Sequence, residues 1–295
     1  MAMTSPALAL AVEALFGNIK PTLNALKKLG TTDFSADAPN MDIKPGATIK
    51  VPVSSVDAAA AFDGETNNYT TGGKTEWASL TATHYLKGFD ISGVNVDQGV
   101  NASRMKQLFT ARAGAGIAMA IQSAIKSALD GVTAPTAASG KLPALTAVTA
   151  ADYLALGDNI SFLDKETSVL AVNGAELASI KAKFAAINIT GKPSDLAQYM
   201  GFKDMVLIPG MTARAVIVPA TGIGFIARVP SIVADYKESG VETDPDTDLS
   251  IGIVVANDQS ENRIIANADL WFGCAVQSAN AGLTTAGLVK IVTAS

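Results

Sequence analysis

Residues Asn101 to Leu129 read NASRMKQLFTARAGAGIAMAIQSAIKSAL, a stretch without proline and with an apolar residue at almost every fourth place. Such spacing predicts one continuous helix, about 40 Å long at 1.5 Å per residue. Asn101 or Ser103 can cap its start, because a short polar side chain accepts an orphan backbone N–H. Gly131 fits the position just past its end, where left-handed dihedrals are common. The large side chains are Met105, Phe109, Ile117, Ile121, Ile125 and Leu129, with Ala113 filling the gap. A step of four residues advances the stripe by about 40°, so it winds roughly 240° from end to end. The two ends therefore bury different faces, and a coiled-coil seam of period 3.5 is disfavoured. Gly114 and Gly116 each cost about 1 kcal/mol inside a helix. Close approach of a neighbouring backbone would justify them. Two readings follow: a long core helix of one domain, or a spine touching several neighbours.

The chain has 295 residues, room for one or two domains with a sizeable core. Charged residues make up 17% and hydrophobic residues 48%. The usual charged share is about 25%. Surface buried between copies would explain the shortfall, and so would simple alanine enrichment. A net charge of −5 speaks against a broadly basic nucleic-acid-binding face. The lone cysteine, Cys274, excludes an internal disulfide and sits in the apolar run LWFGCAV, where it is expected to pack as a small hydrophobe. The start, MAMTSPALALAVEALFG, lacks the basic region of a signal peptide, and Glu13 interrupts its apolar stretch. Ser5-Pro6 reads instead as an N-cap and first helical turn. No run approaches the ~18 apolar residues of a membrane span. The sequons at Asn68, Asn101, Asn159 and Asn188 are expected to be chance matches.

Along the chain, residues 6–30 read as one or two short helices broken near Pro21, and 36–46 as extended. Thr48 to Val53 reads as a strand, with Pro52 favouring an edge. The Gly/Asn/Thr-rich residues 58–77 read as a hairpin tip, and 78–94 regain a broken alternation. Together 47–100 predict a long two-stranded arm, marginal alone and in need of a surface to lie on. Beyond the long helix, 132–148 is a Pro/Ala/Thr loop. Thr149 to Leu163 reads as helix, clearest over Ala151 to Gly157. Ser168 to Val172 is a strand feeding a capping-box-like start, Asn173-Gly-Ala-Glu176, of a helix to about Ala186. Another short helix begins at Pro193-Ser194 and ends near Gly201. Strands are predicted over Met205–Ile208, Ala213–Pro219, Ile223–Val229, Leu249–Ala256, Arg263–Gln277 and Leu288–Val292, with a turn at Asn257–Asn262. The class is α+β, with mostly antiparallel strands late.

Groups able to do chemistry are sparse. His84 is the only histidine, which excludes a zinc site built on several His or Cys ligands within one chain. A catalytic triad or a Cys274–His84 pair would have to use it from the arm's strand. Gly222-Ile-Gly224-Phe-Ile-Ala227 matches a dinucleotide fingerprint, but Pro230 follows where a helix is required, so a turn or strand is expected. Asp244-Pro-Asp246-Thr-Asp248 alternates carboxylates like a calcium loop. Leu249 and Val255 stand where an EF-hand needs Gly and Glu, so an EF-hand is excluded. With Asp235, Glu238 and Glu242 this tract reads as a solvated acidic loop, and weak cation binding at Asp244–Asp248 stays open. Lys27-Lys28 is too short a basic cluster to define a partner. Arg104, Lys106 and Arg112 could pair with acids of a neighbour. No catalytic, cofactor-binding or metal-ligating residue is assigned, and no cofactor is expected.

The order of the pieces carries more than any motif. An N-terminal helical arm precedes a long β-arm with a Gly/Asn tip, then one long helix, then SVLAVNGAELASIKAKFAAI and GFKDMVLIPGM. The strand pair ARAVIVPATGIGFIARVP follows, then DLSIGIVVANDQSENRIIANADLWFGCAV and GLVKIV. From about residue 30 onward this order resembles the major capsid protein of tailed bacteriophages, the HK97-like fold. The resemblance implies an N-terminal arm at 1–46, an E-loop at 47–100, a peripheral domain with the spine helix at 101–131, an axial domain at 132–263, and return strands of the peripheral domain at 264–295. It implies a non-enzymatic subunit that self-assembles through pentamers and hexamers into an icosahedral shell around double-stranded DNA, held non-specifically. Scaffolding, portal and decoration proteins and a maturation protease are the family's partners, and any scaffold here is expected to be a separate protein. The expected location is the virion, assembled in the host cytoplasm, with no membrane partner. Some relatives crosslink a Lys to an Asn. Lys74 lies near the arm tip, without a motif match that assigns it. An encapsulin-like bacterial compartment shares the fold, and a tail-tube subunit is a further alternative that the long helix disfavours.

Overall fold

A computed structural model of the chain describes residues 21–22, 24–29, 32–33, 48–54, 75–81, 83–92, 102–131, 149–156, 165–218, 222–229, 238–243, 250–258, 263–276 and 289–291. The strands in order are β1 (Thr32–Asp33), β2 (Thr48–Ser54), β3 (Thr75–Thr81), β4 (Thr83–Ser92), β5 (Val169–Val172), β6 (Asp204–Leu207), β7 (Ala215–Val218), β8 (Ile223–Arg228), β9 (Glu238–Thr243), β10 (Ser250–Asp258), β11 (Arg263–Val276) and β12 (Val289–Ile291). Residues 21–22 and 24–28 are helical, and the later helices are α1 (Ala102–Asp130), α2 (Ala150–Leu154), α3 (Gly174–Ala185) and α4 (Pro193–Tyr199).

The predicted long helix is α1. Ala113, Ile117, Ile121, Ile125 and Leu129 are all buried, as the four-residue stripe requires. Met105 and Phe109 have side chains outside the described residues. Gly131 does not turn left-handed. Its N–H still bonds the Ser127 carbonyl at 3.0 Å, so the helical hydrogen-bond ladder runs one residue further than the cap pattern implied.

The smaller sheet has the order β12-β7-β5-β6, with β5 parallel to β6 and antiparallel to β7. The runs VLAV and AVIV of β5 and β7 are buried at every position. Continuous apolar strands of this kind need cover on both faces. Strand alternation sorts the side chains accordingly. Val169, Ala171, Val206, Val216 and Val218 join the core of α1. Leu170, Val172, Met205, Ala215 and Ile217 join Tyr153, Ile180, Phe184, Leu196 and Met200 of α2, α3, α4 and the Met200 cap.

The larger sheet is built on β11. Along one side β4 pairs from Arg263↔Ser92 to Phe272↔Thr83. Along the other, β10 pairs up to Gly252↔Asp269, and β8 continues from Trp271↔Arg228 to Val276↔Ile223. β9 adds to β10, and β1 lies parallel to β8. The inward residues Ile223, Ile251, Ile253, Ala268, Leu270 and Phe272 share one core with α1. The Phe225 and Phe272 rings stack there with centroids 6.2 Å apart. The spine thus packs against both sheets, which favours the second reading of its sequence.

Three expectations change. β2 and β3 pair as a hairpin should, with β3 starting at Thr75 inside the predicted tip. Its continuation β4 leaves the hairpin to pair with β11, so 78–94 is not all arm. Glu238 and Glu242 belong to strand β9 rather than to a loop, opposite Val255 and Ile251. The helix predicted for 149–163 is helical over Ala150–Leu154 and turns through 156, and 157–164 lie outside the described residues.

Helix ends follow their local chemistry. After α4, Gly201 adopts φ +83°. The N–H of Phe202 reaches the Ala197 carbonyl at 2.9 Å and that of Gly201 reaches Gln198 at 3.0 Å, a Schellman closure. After α3, Asn188 plays the same part at φ 61°, with Ile189 N–H on the Phe184 carbonyl. The sequon asparagine at 188 is therefore a helix stop.

Ile121 is fully buried between the sheets' cores. Ile121→Asp should destabilise the chain by more than about 4 kcal/mol, because it removes apolar packing and buries an unpaired charge. Chemical denaturation followed by circular dichroism measures it. An unchanged midpoint would show that the stripe is not the core.

Candidate functional site

The structure scatters the sequence candidates. His84 lies on β4 in register with Trp271, three positions along β11 from Cys274. That separates the two backbone positions by about 10 Å along the strand. Burial pushes the Cys274 thiol up to about 12, and the side chain packs against the spine core as expected of a small hydrophobe. The residues of GIGFIA from Ile223 onward are strand β8, held between β1 and β11. With a strand where the fingerprint needs a helix N-terminus, no phosphate cradle exists there. Asp235 and the Asp244–Asp248 tract fall outside the described residues, as do Lys74 and the side chains of Arg104 and Lys106. Arg112 and Lys27 are exposed, and Lys28 pairs with Asp204 at 3.0 Å. Among the described residues no group of three or more His, Cys, Asp or Glu side chains could hold a metal. No described helix is long and apolar enough to cross a membrane.

Two polar clusters stand out instead, both structural in geometry. The first centres on Glu176. Asn173 caps α3 as its sequence implied, its side chain accepting the Glu176 N–H at 2.8 Å. The second half of the capping box is missing, because the Glu176 side chain turns inward and is fully buried. It accepts the Tyr153 hydroxyl at 2.5 Å and forms an ion pair with the guanidinium of Arg214. Burial, then the bond to the Glu176 carboxylate, raises Tyr153 to about 12, so the hydroxyl remains a donor. Asn173 N–H also bonds the Arg214 carbonyl at 3.0 Å. The cluster ties α2, α3 and the entry to β7 together, and a substrate cannot reach a carboxylate buried in this way. The N-x-x-E spacing marked Glu176 as a cap. Its pairing with Arg214, 38 positions on, has no local signal.

The second cluster closes the end of the spine. An aspartate at a helix C-terminus opposes the helix dipole. Asp130 is nevertheless held there by Lys126 at 2.9 Å and by the backbone N–H groups of Thr212 and Ala213, each at 2.9 Å. Burial pushes its pKa up, but the Ala213 N–H, Lys126 and Thr212 outweigh it and bring the group down to about 2. The clasp joins the spine to the segment between β6 and β7.

No protein-family model and no curated protein matches the sequence. Solved structures do match the fold. The capsid of a native GTA particle aligns with 93% of this chain and 91% of its own, at a TM-score of 0.55 and 11% identity. The empty GTA capsid aligns at a TM-score of 0.51 and 11% identity, over 92% and 90% of the two chains. A virus-like particle from Pyrococcus furiosus aligns over 95% and 96%, at 0.50 and 11%. At such identity these likenesses speak for the fold. The chain has the mixed helix-and-strand fold of capsid shell subunits. That fold agrees with the resemblance to HK97-type major capsid proteins carried by the order of its elements.

Two predictions follow from the clusters. Glu176→Ala should cost about 2–4 kcal/mol, because it leaves the Tyr153 hydroxyl and the Arg214 charge without their shared acceptor. A urea titration reads it, and a loss under about 0.5 kcal/mol would mean the pair is solvent-compensated. Asp130 has a folded pKa depressed from 3.8 to about 2, so its contribution is full above pH 3.8 and is lost as pH falls towards 2. Asp130→Asn should therefore cost about 1–2 kcal/mol at pH 7, with the gap to the native chain closing between pH 4 and 2. A gap constant over that range would contradict the clasp.

Proposed function

We propose that this chain is a major capsid protein, a non-enzymatic subunit that self-assembles into an icosahedral shell enclosing a double-stranded DNA phage genome. The observation that carries the reading is the end-to-end likeness to the native GTA capsid, over 93% of this chain at a TM-score of 0.55. The composition supports it: at 17% charged residues, much of the subunit's surface suits contact with other copies. The absence of an assigned chemical centre in the sequence is in keeping with a shell subunit.

On this reading 1–46 is the N-terminal arm, 47–100 the E-loop, 101–131 the spine part of the peripheral domain, 132–263 the axial domain and 264–295 the peripheral return strands, although β8, β9 and β10 join the sheet built on β11 and β12 joins β7, so strands cross the two later boundaries. The pairing of β4 with β11 supports an arm that springs from the sheet built on β11. The β2–β3 ribbon touches β11 and β8 of its own chain through β3, and a neighbouring subunit would support the rest of a ribbon that is marginal alone. Portal, scaffolding and decoration proteins are the partners such a shell would use, and the virion is its location. A second reading, a protein-only compartment of the encapsulin kind, draws support from the likeness to the Pyrococcus furiosus virus-like particle over 95% of this chain at a TM-score of 0.50.

Negative-stain electron microscopy of the protein, purified alone and co-expressed with its genomic neighbours, tests the proposal. Closed polyhedral shells or pentamer and hexamer rings are expected. Nuclease-protected DNA inside the shells separates a phage capsid from a protein compartment, and a persistent monomer under both conditions overturns both. Deleting the arm tip, Asn67 to Lys74, should abolish or distort shells while leaving the melting transition of the subunit in place. Normal shells from that variant would remove the E-loop assignment.

A further inference from the structure

The short connection between β6 and β7 holds two parts of the molecule at once. Along residues 208–214, contacts with the spine alternate with contacts to the start of α3. On the spine's side, the stem of Lys126 lies against Gly210, which has φ +74°. One carboxylate oxygen of Asp130 then accepts the N–H groups of Thr212 and Ala213, each at 2.9 Å. On the other side, the Ile208 N–H bonds the Val172 carbonyl at 2.9 Å, and the Asn173 side chain donates to the Met211 carbonyl at 3.5 Å. The Arg214 carbonyl accepts the Asn173 N–H at 3.0 Å, and its guanidinium pairs with Glu176, which also holds the Tyr153 hydroxyl. Apolar packing alternates in the same way. Met211 and Ala213 are buried in the core of the spine, and Ala215 in the core of the helical layer.

Such interleaving leaves little slack. A loop ordinarily runs over the surface and absorbs motion between the elements it joins. Here successive Cα atoms are held about 3.8 Å apart by planar peptides, so a shift of Ala213 away from Asp130 drags Arg214 with it. One oxygen that accepts two successive N–H groups also fixes the orientation of two adjacent peptide planes. The Glu176 carboxylate is fully buried, so it would be left as an unpaired charge if Arg214 moved off.

We propose that residues 208–214 act as a rigid coupler, through which the end of the spine and the helical layer loosen together. Release of Asp130 opens the cap of α3, and release of Tyr153 opens the clasp on the spine. Displacement of the spine's end is thereby relayed to α2 and α3. The coupler belongs to the single subunit and does not depend on the shell reading.

Hydrogen exchange on the full-length subunit, read amide by amide, tests it with one variant at each end. Asp130→Asn should speed exchange of the Glu176 and Leu177 amides about tenfold, and Tyr153→Phe should speed that of Thr212 and Ala213 by a similar factor, because coupling between two sites is reciprocal. Both substitutions keep the shape of the side chain, and neither side chain replaced bonds to the amides read at the far end. Speeding confined, in either variant, to the cluster that lost its own contact would overturn the proposal. Ile226→Val, in the larger sheet and outside both clusters, is the control and should leave all four amides unchanged. Equal speeding in that variant would mean general loosening and would also overturn it.

Discussion

Burial of one face of the spine is the interaction on which everything else rests. Ala113, Ile117, Ile121, Ile125 and Leu129 are packed between a sheet built on β11 and a sheet built on β5 and β7. Neither sheet could stay apart from water on that side without the helix. The smaller one is apolar on both faces and needs cover on each, the spine supplying one and α2, α3 and α4 the other. One helix is thus the shared core of two sheets, which explains why it is so long for a chain of this size. It also explains why its stripe winds: a helix serving neighbours in different directions cannot keep a straight seam.

Polar contacts then fix positions that apolar packing leaves adjustable. Hydrophobic burial is non-directional, so helices could slide on the smaller sheet without losing much area. The Glu176–Arg214 pair with the Tyr153 hydroxyl sets α2 and α3 against β7. The Asp130 clasp sets the spine's end against the segment leading into β7. A buried carboxylate tolerates no wrong arrangement, because an unpaired one is costly. Both clusters converge on residues 212–214, so that short segment determines how spine and helical layer meet.

These features are in keeping with the shell-subunit role proposed above. Among the described residues the buried Glu176 carboxylate is taken up by Tyr153 and Arg214, and burial keeps Cys274 a packed thiol. Exposed apolar side chains among the described residues include Met119 on α1, Tyr199 on α4 and Ile187 just after α3. On the proposed reading, a two-sheet body with a β2–β3 ribbon would let identical chains overlap.

The sequence by itself determined the elements with local causes. Four-residue spacing placed α1, Asn173 placed the start of α3, and the runs VLAV and AVIV read as strands, whose cover on both faces the structure supplied. The order of these pieces was enough to suggest the capsid architecture. Only the tertiary structure decided pairings between distant residues. β4 looks like the return strand of a hairpin, yet it pairs with β11 more than 170 positions later, because the long apolar β11 offers it a ladder that a two-stranded ribbon cannot. ESGVET has little strand propensity and becomes β9 because the edge of β10 supplies its hydrogen bonds. Glu176 fits a cap locally and becomes a core anion because Arg214 arrives beside it. Periodicity and caps act over one or two turns of chain, whereas register and charge pairing are settled where distant segments meet.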